Sequence, residues 1–136
     1  MKLEYSLNDL DLISQKIIQS SNVNVYLFFG EMGVGKTTLI RALVKRLGSE
    51  DNVSSPTYSL VNEYLAKDKP IFHFDFYRIN SIDEVYDMGF EDYLSHDAFI
   101  LIEWPELIES LWPEHFMRVD LKLAGREKRL VEISEI

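Results

Sequence analysis

Val23-Asn24-Val25-Tyr26-Leu27-Phe28-Phe29, followed without a break by Gly30-Glu31-Met32-Gly33-Val34-Gly35-Lys36-Thr37, is the stretch that decides the architecture of this chain. Its first part is a nearly continuous apolar run of strand length, as expected of a strand buried on both faces in a parallel sheet. Its second part fits GxxxxGK[ST] at every fixed position. Downstream, Leu39, Ile40, Leu43, Val44 and Leu47 recur at helical spacing and Gly48 stops the run. The spacing predicts an amphipathic helix from Lys36 to Leu47. Strand, glycine-rich turn and helix in this order make a phosphate cradle. The glycines let backbone amides turn inward as donors, and the helix start adds its positive end. Lys36 would reach the β- and γ-phosphates of a nucleoside triphosphate, and the Thr37 hydroxyl would ligate Mg²⁺. Without the flanking strand and helix, the same pattern would be a plain glycine-containing turn.

Outward from the loop, Leu10, Leu12, Ile13, Ile17 and Ile18 predict a helix over residues 8–20, with Ser6 or Asn8 as its cap. Residues 49–57 read as a polar loop. Tyr58 to Leu65 suits a strand, and Asp68-Lys69-Pro70 a turn. Ile71 to Tyr77 alternates, with His73, Asp75 and Tyr77 on one face and Phe72, Phe74 and Phe76 on the other. Ser81 to Met88 reads as a short helix with Glu84 at the capping-box position. Ala98 to Ile102 is a second apolar strand, and the tail predicts strands over 118–123 and 129–133 around a turn at Gly125. The expected fold is α/β, one domain over residues 1–136. Its central sheet is mostly parallel, flanked by helices, with antiparallel additions.

The 136 residues, 46% hydrophobic and 27% charged, suit one compact core. With no cysteine there is no disulfide, thiolate metal site or cysteine nucleophile. No apolar run reaches the roughly 18 residues of a membrane helix. Nothing behind Met1-Lys2-Leu3-Glu4-Tyr5 resembles a signal peptide, so a cytoplasmic location is expected. The net charge of −9 argues against a broad nucleic-acid-binding face. A triphosphate must then be held against the average field, by local amides, one lysine and a metal ion. An acidic surface suits a more basic protein partner.

Nucleotide hydrolysis needs a carboxylate near magnesium, usually at the end of a neighbouring strand. Glu103 closes the AFILI strand on the carboxyl edge of the sheet, where ligands of open α/β sheets bind. The alternative is a strand-end acid facing water. Asp75 stands mid-strand among three phenylalanines, an expensive place for an unpaired carboxylate. It either pairs with Arg78 or His73, or points into the site. Ser55-Pro56-Thr57 is a candidate source of a hydroxyl near the γ-phosphate or a capped turn. His73 reads first as a satisfied, half-buried histidine, and Trp104 as a packing anchor or an exposed contact.

Four segments now stand together: GEMGVGKTT (30–38), SPTYSLVNEY (55–64), HFDFYR (73–78) with DEVYDMGFEDYL (83–94), and LIEWPE (101–106). With them the chain resembles the TsaE (YjeE) family, bacterial P-loop ATPases required to make threonylcarbamoyladenosine on tRNA. The resemblance extends to GREKR (125–129). It implies a P-loop NTPase fold, ATP and Mg²⁺ as ligands, and slow ATP hydrolysis by the chain alone. It also implies action on a TsaB–TsaD complex, with tRNA engaged only through that complex. Carried over by position, Lys36, Asp75 and Glu103 serve catalysis, and Thr37 and Glu103 ligate magnesium. Gly33, Val34, Gly35, Lys36, Thr37 and Thr38 cradle the phosphates, while Ser6 and Arg126 contact the nucleotide outside the loop.

The rival enzyme is a small P-loop kinase that phosphorylates a small-molecule acceptor. Such kinases usually carry an arginine-rich lid and an acceptor insertion, whereas six arginines are scattered here. A GTPase would want an NKxD guanine reader, and none occurs. A nucleotide-controlled binding module with negligible hydrolysis overlaps the first reading, because no dedicated arginine finger is evident.

Overall fold

A computed structural model of the chain describes residues 1–56 and 59–136. Seven strands form one sheet: β1 (Lys2–Tyr5), β2 (Val25–Phe29), β3 (Val61–Leu65), β4 (Pro70–Asp75), β5 (Phe99–Glu103), β6 (Met117–Leu123) and β7 (Arg129–Glu135). Their order is β1-β7-β6-β2-β5-β4-β3. The centre is parallel, with β2 paired to β6 and β5, and β5 to β4. The margins are antiparallel, through β6–β7, β7–β1 and β4–β3. A mostly parallel centre with antiparallel additions is the expected α/β fold.

The helices are α1 (Leu10–Gln19), α2 (Lys36–Arg46), α3 (Asp83–Asp87) and α4 (Phe90–Leu94). Along β2, Tyr26 and Phe28 join the core cluster under α1 and α2, with Ile13, Ile17, Leu39, Ile40 and Leu43. Leu27 and Phe29 join the other cluster, with Phe72, Phe74, Phe76, Val85, Phe90 and Ile108. Both faces of β2 are thus covered, which is why its sequence is continuously apolar instead of alternating. In β4 the phenylalanines do face the second cluster, and His73 lies on the opposite side.

The structure adjusts several expected boundaries. The strand expected over 58–65 begins at Val61, and Tyr58 lies outside the described residues. Ser6 caps a 3-10 turn over Leu7–Asp9 that leads into α1, and not α1 itself, whose N-cap is Asp9; the Asp9 carboxylate accepts from both the Ser6 amide and the Ser6 hydroxyl. At α3 Glu84 accepts from the Ser81 amide, as expected, but the Ser81 hydroxyl accepts from the Asp83 amide and the N-cap position is Ile82, so only half of the expected capping box forms. Three elements escaped the sequence reading: β1, α4 and a 3-10 segment over Pro105–Leu111.

Register decides where the site forms. Phe28 of β2 pairs with Glu103 of β5, and Glu103 pairs with Asp75 of β4. The three strands therefore end side by side, bringing the glycine loop, Glu103 and Asp75 to one carboxyl edge.

Candidate functional site

The loop between β2 and α2 depends on glycine at specific points. A Cβ at Gly30 would stand 2.8 Å from Val34 Cγ1 and 3.0 Å from the Leu121 carbonyl oxygen, so the close strand–loop packing admits no side chain. Gly35 caps α2 at a φ of +108°, a left-handed conformation that costs other residues energy. Its carbonyl accepts from Leu39 N–H at 3.0 Å, which starts the helix. The amides over 33–38 thus sit at the positive end of an eleven-residue helix.

Lys36 is 5% exposed. Its ammonium donates to the Gly30 carbonyl at 2.6 Å and lies 3.5 Å from the centroid of the Trp104 ring. Burial lowers its pKa, while Glu103, Glu106 and Asp75 pull in the opposite direction. Trp104 reaches this position through a left-handed backbone (φ +57°) directly after β5, followed by Pro105 at the start of the 3-10 segment. Tyr77 packs on its ring at 4.9 Å. A bulky residue held left-handed is strained, and such strain is concentrated at functional sites.

Thr37 Oγ1 donates to Glu103 Oε1 at 3.0 Å and lies 3.2 Å from Ser55 Oγ. Glu103 is 3% exposed, and its Oε2 is 2.7 Å from His73 Nε2. Asp75 accepts from the Tyr77 amide through Oδ1 at 2.9 Å. Burial raises the Asp75 pKa first. The Tyr77 amide, His73 and Lys36 work against that shift, and Glu103 adds to it. Lys36, Thr37, Thr38, Ser55, Asp75, Glu103 and Trp104 line one cavity of about 250 Å³.

A second cavity, about 500 Å³, opens on the other side of the loop and shares Gly33, Gly35 and Thr38 with the first. Tyr5, Ser6, Asn8, Val34, Arg126 and Arg129 complete much of its wall. Its lining joins apolar surface to two arginines, which suits the base and sugar of a nucleotide whose phosphates cross the loop.

Magnesium fits this donor set. A hydroxyl and a carboxylate, both hard oxygen donors, meet at the cavity wall. Among the described residues no group of three or more His, Cys, Asp or Glu gathers to hold a metal. A magnesium that takes its other ligands from phosphates and water needs no such cage.

The structure thus brings Lys36, Thr37, Asp75 and Glu103 together, and sets Ser6 and Arg126 apart on the adjoining cavity with Val34. Two expectations change. Asp75 ends β4 instead of lying mid-strand, and its hydrogen bond goes to Tyr77 and not to Arg78 or His73. His73 is fully buried, not half-buried, and its partner is Glu103. Thr57 lies outside the described residues. Arg129 was missed: its Nε donates to the Val34 carbonyl at 2.7 Å, tying β7 to the glycine loop. The available signal was an arginine opening an apolar strand, which reads as readily as a solvated strand end.

Comparison with known proteins gives the family and the fold. The family described as "Threonylcarbamoyl adenosine biosynthesis protein TsaE" matches residues 5–131. A TsaE of Haemophilus influenzae is 42% identical over 106 residues, covering 78% of this chain and 66% of that protein. A TsaE of Rickettsia typhi is 38% identical over 113 residues, 82% of this chain and 78% of that one. The TsaE of Bacillus subtilis is 33% identical, and the alignment spans 66% of its length. The crystal structure of YdiB from Bacillus subtilis superposes with a TM-score of 0.73, covering 96% of this chain and 83% of the other. At 24% identity that likeness speaks for the fold alone. With the family match running over nearly its whole length, the chain belongs to the TsaE family.

Proposed function

We propose that this chain is a magnesium-dependent ATPase that serves threonylcarbamoyladenosine modification of tRNA by acting on a TsaB–TsaD complex in the cytoplasm. The observation that carries the chemical part is the Thr37–Glu103 hydrogen bond at the wall of a cavity that Lys36 and Asp75 also line. Family membership and the names of the relatives support the pathway.

The residues divide the work. The amides over 33–38 and the start of α2 would receive the phosphate oxygens, and Lys36 would place its charge beside the β- and γ-phosphates. Thr37 and Glu103 would hold the magnesium. That ion supplies neutralisation of charge on the phosphates. Asp75 commits one oxygen to Tyr77 and keeps the second to orient a water toward the γ-phosphate. Ser6, Arg126 and the remainder of the larger cavity would take the nucleoside. An arginine finger, if the reaction uses one, would come from the partner, so hydrolysis by the chain alone is slow.

The test is an ATPase assay of the chain alone, with TsaB and TsaD, and with the pair plus tRNA. The proposal expects phosphate release to water, faster with the pair present, and ATP-dependent co-purification. Transfer of phosphate to a small-molecule acceptor would identify a kinase instead.

A further inference from the structure

At the cavity wall, hydrogen bonds close a ring that runs through the buried His73, Glu103 and Tyr64 and the more open Thr37, Ser54 and Ser55. Thr37 Oγ1 bonds Glu103 Oε1 at 3.0 Å, and Glu103 Oε2 meets His73 Nε2 at 2.7 Å. His73 Nδ1 meets the Tyr64 hydroxyl at 3.0 Å, and that hydroxyl lies 3.1 Å from the Ser54 carbonyl. The next residue, Ser55, returns to Thr37 at 3.2 Å. Asn62 Nδ2 also donates to the Ser54 carbonyl, at 2.9 Å.

We propose that His73 is a positioning residue for the magnesium site. It orients Glu103 through one ring nitrogen and, through Tyr64 on the other, fixes the backbone that presents Ser55. The inference rests on the magnesium-ATP reading of the cavity given above.

The bland alternative is a core histidine that is merely satisfied. Two observations weigh against it. His73 is 0% exposed in a strand whose buried neighbours are apolar, where an imidazole costs energy that a phenylalanine would not. Both its nitrogens are engaged, and one faces the very carboxylate that meets Thr37. Glu103 consequently has each oxygen assigned: Oε2 to the ring and Oε1 to the cavity. A carboxylate held at one oxygen cannot swing away, and partners behind a metal ligand typically change metal affinity about 10- to 100-fold. The tie to Ser54 adds a second consequence. Glu103 and Ser55 approach Thr37 from different elements, and the same imidazole touches Glu103 directly and, on its other side, the Tyr64 hydroxyl that lies against the Ser54 carbonyl.

Calorimetry of ATP binding with magnesium and with EDTA gives the test, in the full chain, without reference to turnover. His73→Gln places an amide near the Nε2 position, facing Glu103; His73→Asn places one near Nδ1, facing Tyr64. Both substitutions leave the core similarly underfilled. The expected result is that His73→Asn loses about 10- to 100-fold of the affinity that magnesium adds. His73→Gln retains most of it, and both bind ATP in EDTA like the wild type. Equal losses in the two variants, or none in either, would overturn the positioning role. A wild-type chain with no magnesium-dependent gain would instead overturn the reading beneath it. For the second arm, Tyr64→Phe should speed amide hydrogen exchange over residues 53–55 while leaving most of the magnesium gain. Unchanged exchange would refute the link to Ser55.

Discussion

The Lys36 ammonium sits 3.5 Å from the centre of the Trp104 ring while donating to the Gly30 carbonyl. The cation that a triphosphate must recruit is therefore already in contact with a fluorophore. Phosphates that draw Lys36 toward them will change the field at the indole. Magnesium-ATP should shift the tryptophan emission. Trp104→Phe should abolish the shift, because the remaining Trp112 packs on Phe29 and Phe116 in the core cluster on the other sheet face. Lys36→Ala should weaken ATP binding by about 1.5–3 kcal/mol, the worth of a charge-assisted hydrogen bond, or roughly ten- to a hundred-fold. Unchanged affinity in a titration of that variant would refute the assignment of the loop.

Asp75 carries a cost that its substitution should reveal. Burial raises its pKa above the ordinary 3.8, so the native chain holds that proton more tightly than the unfolded chain does. The preference stabilises the fold most fully below the unfolded pKa and is lost as pH rises through the folded value. Asp75→Asn keeps an acceptor for the Tyr77 amide and removes the charge. It should raise Tm at neutral pH, bind ATP as before, and hydrolyse it at least about 100-fold more slowly. In the wild type, hydrolysis should fall off on the acid side at a pH above 3.8. A lower Tm with normal hydrolysis would return Asp75 to a structural role.

Arg126 offers a way to probe the two cavities separately. It is exposed, lines the larger cavity and is absent from the smaller. Arg126→Ala should leave Tm nearly unchanged, as surface substitutions shift stability within about 0.5 kcal/mol. It should weaken ATP severalfold while inorganic tripolyphosphate binds as to the wild type. Equal losses for both ligands would place Arg126 on the phosphates. Ser6→Ala is the poorer probe, because the Ser6 hydroxyl also bonds Asp9 and its loss loosens the 3-10 turn that leads into α1.

Much of this site was legible before any coordinates because its parts are local. The glycine loop reads from consecutive residues, and β2 and α2 follow from periodicities on either side of it. Glu103 was legible as a candidate because it ends an apolar strand at the carboxyl edge of the sheet, whereas the choice between that role and an acid facing water needed its burial. What stayed hidden is what register creates. The placement of Asp75 opposite Glu103 depends on how β4 pairs with β5. The His73–Glu103 contact joins positions thirty residues apart in sequence, and a lone histidine in an apolar strand does not announce its partner. Arg129 is similar, reaching Val34 from ninety-five residues away. β1 alternates, with Leu3 and Tyr5 inward and Lys2 and Glu4 exposed, but over four residues the pattern is too short to mark a strand; pairing with β7 defines it. The 3-10 segment after Pro105 follows from the left-handed turn at Trp104, which no propensity foretells.

On the proposed function, Glu103 and Thr37 make the glycine loop a magnesium-triphosphate site. The most direct measurement is the affinity for ATP with magnesium and with EDTA, in the wild type and in Glu103→Gln. The variant keeps the size of the side chain and an oxygen for Thr37 but gives up the negative charge that magnesium requires. Magnesium should tighten ATP binding to the wild type, and Glu103→Gln should lose most of that gain with its EDTA affinity intact. The same magnesium gain in both proteins would contradict it.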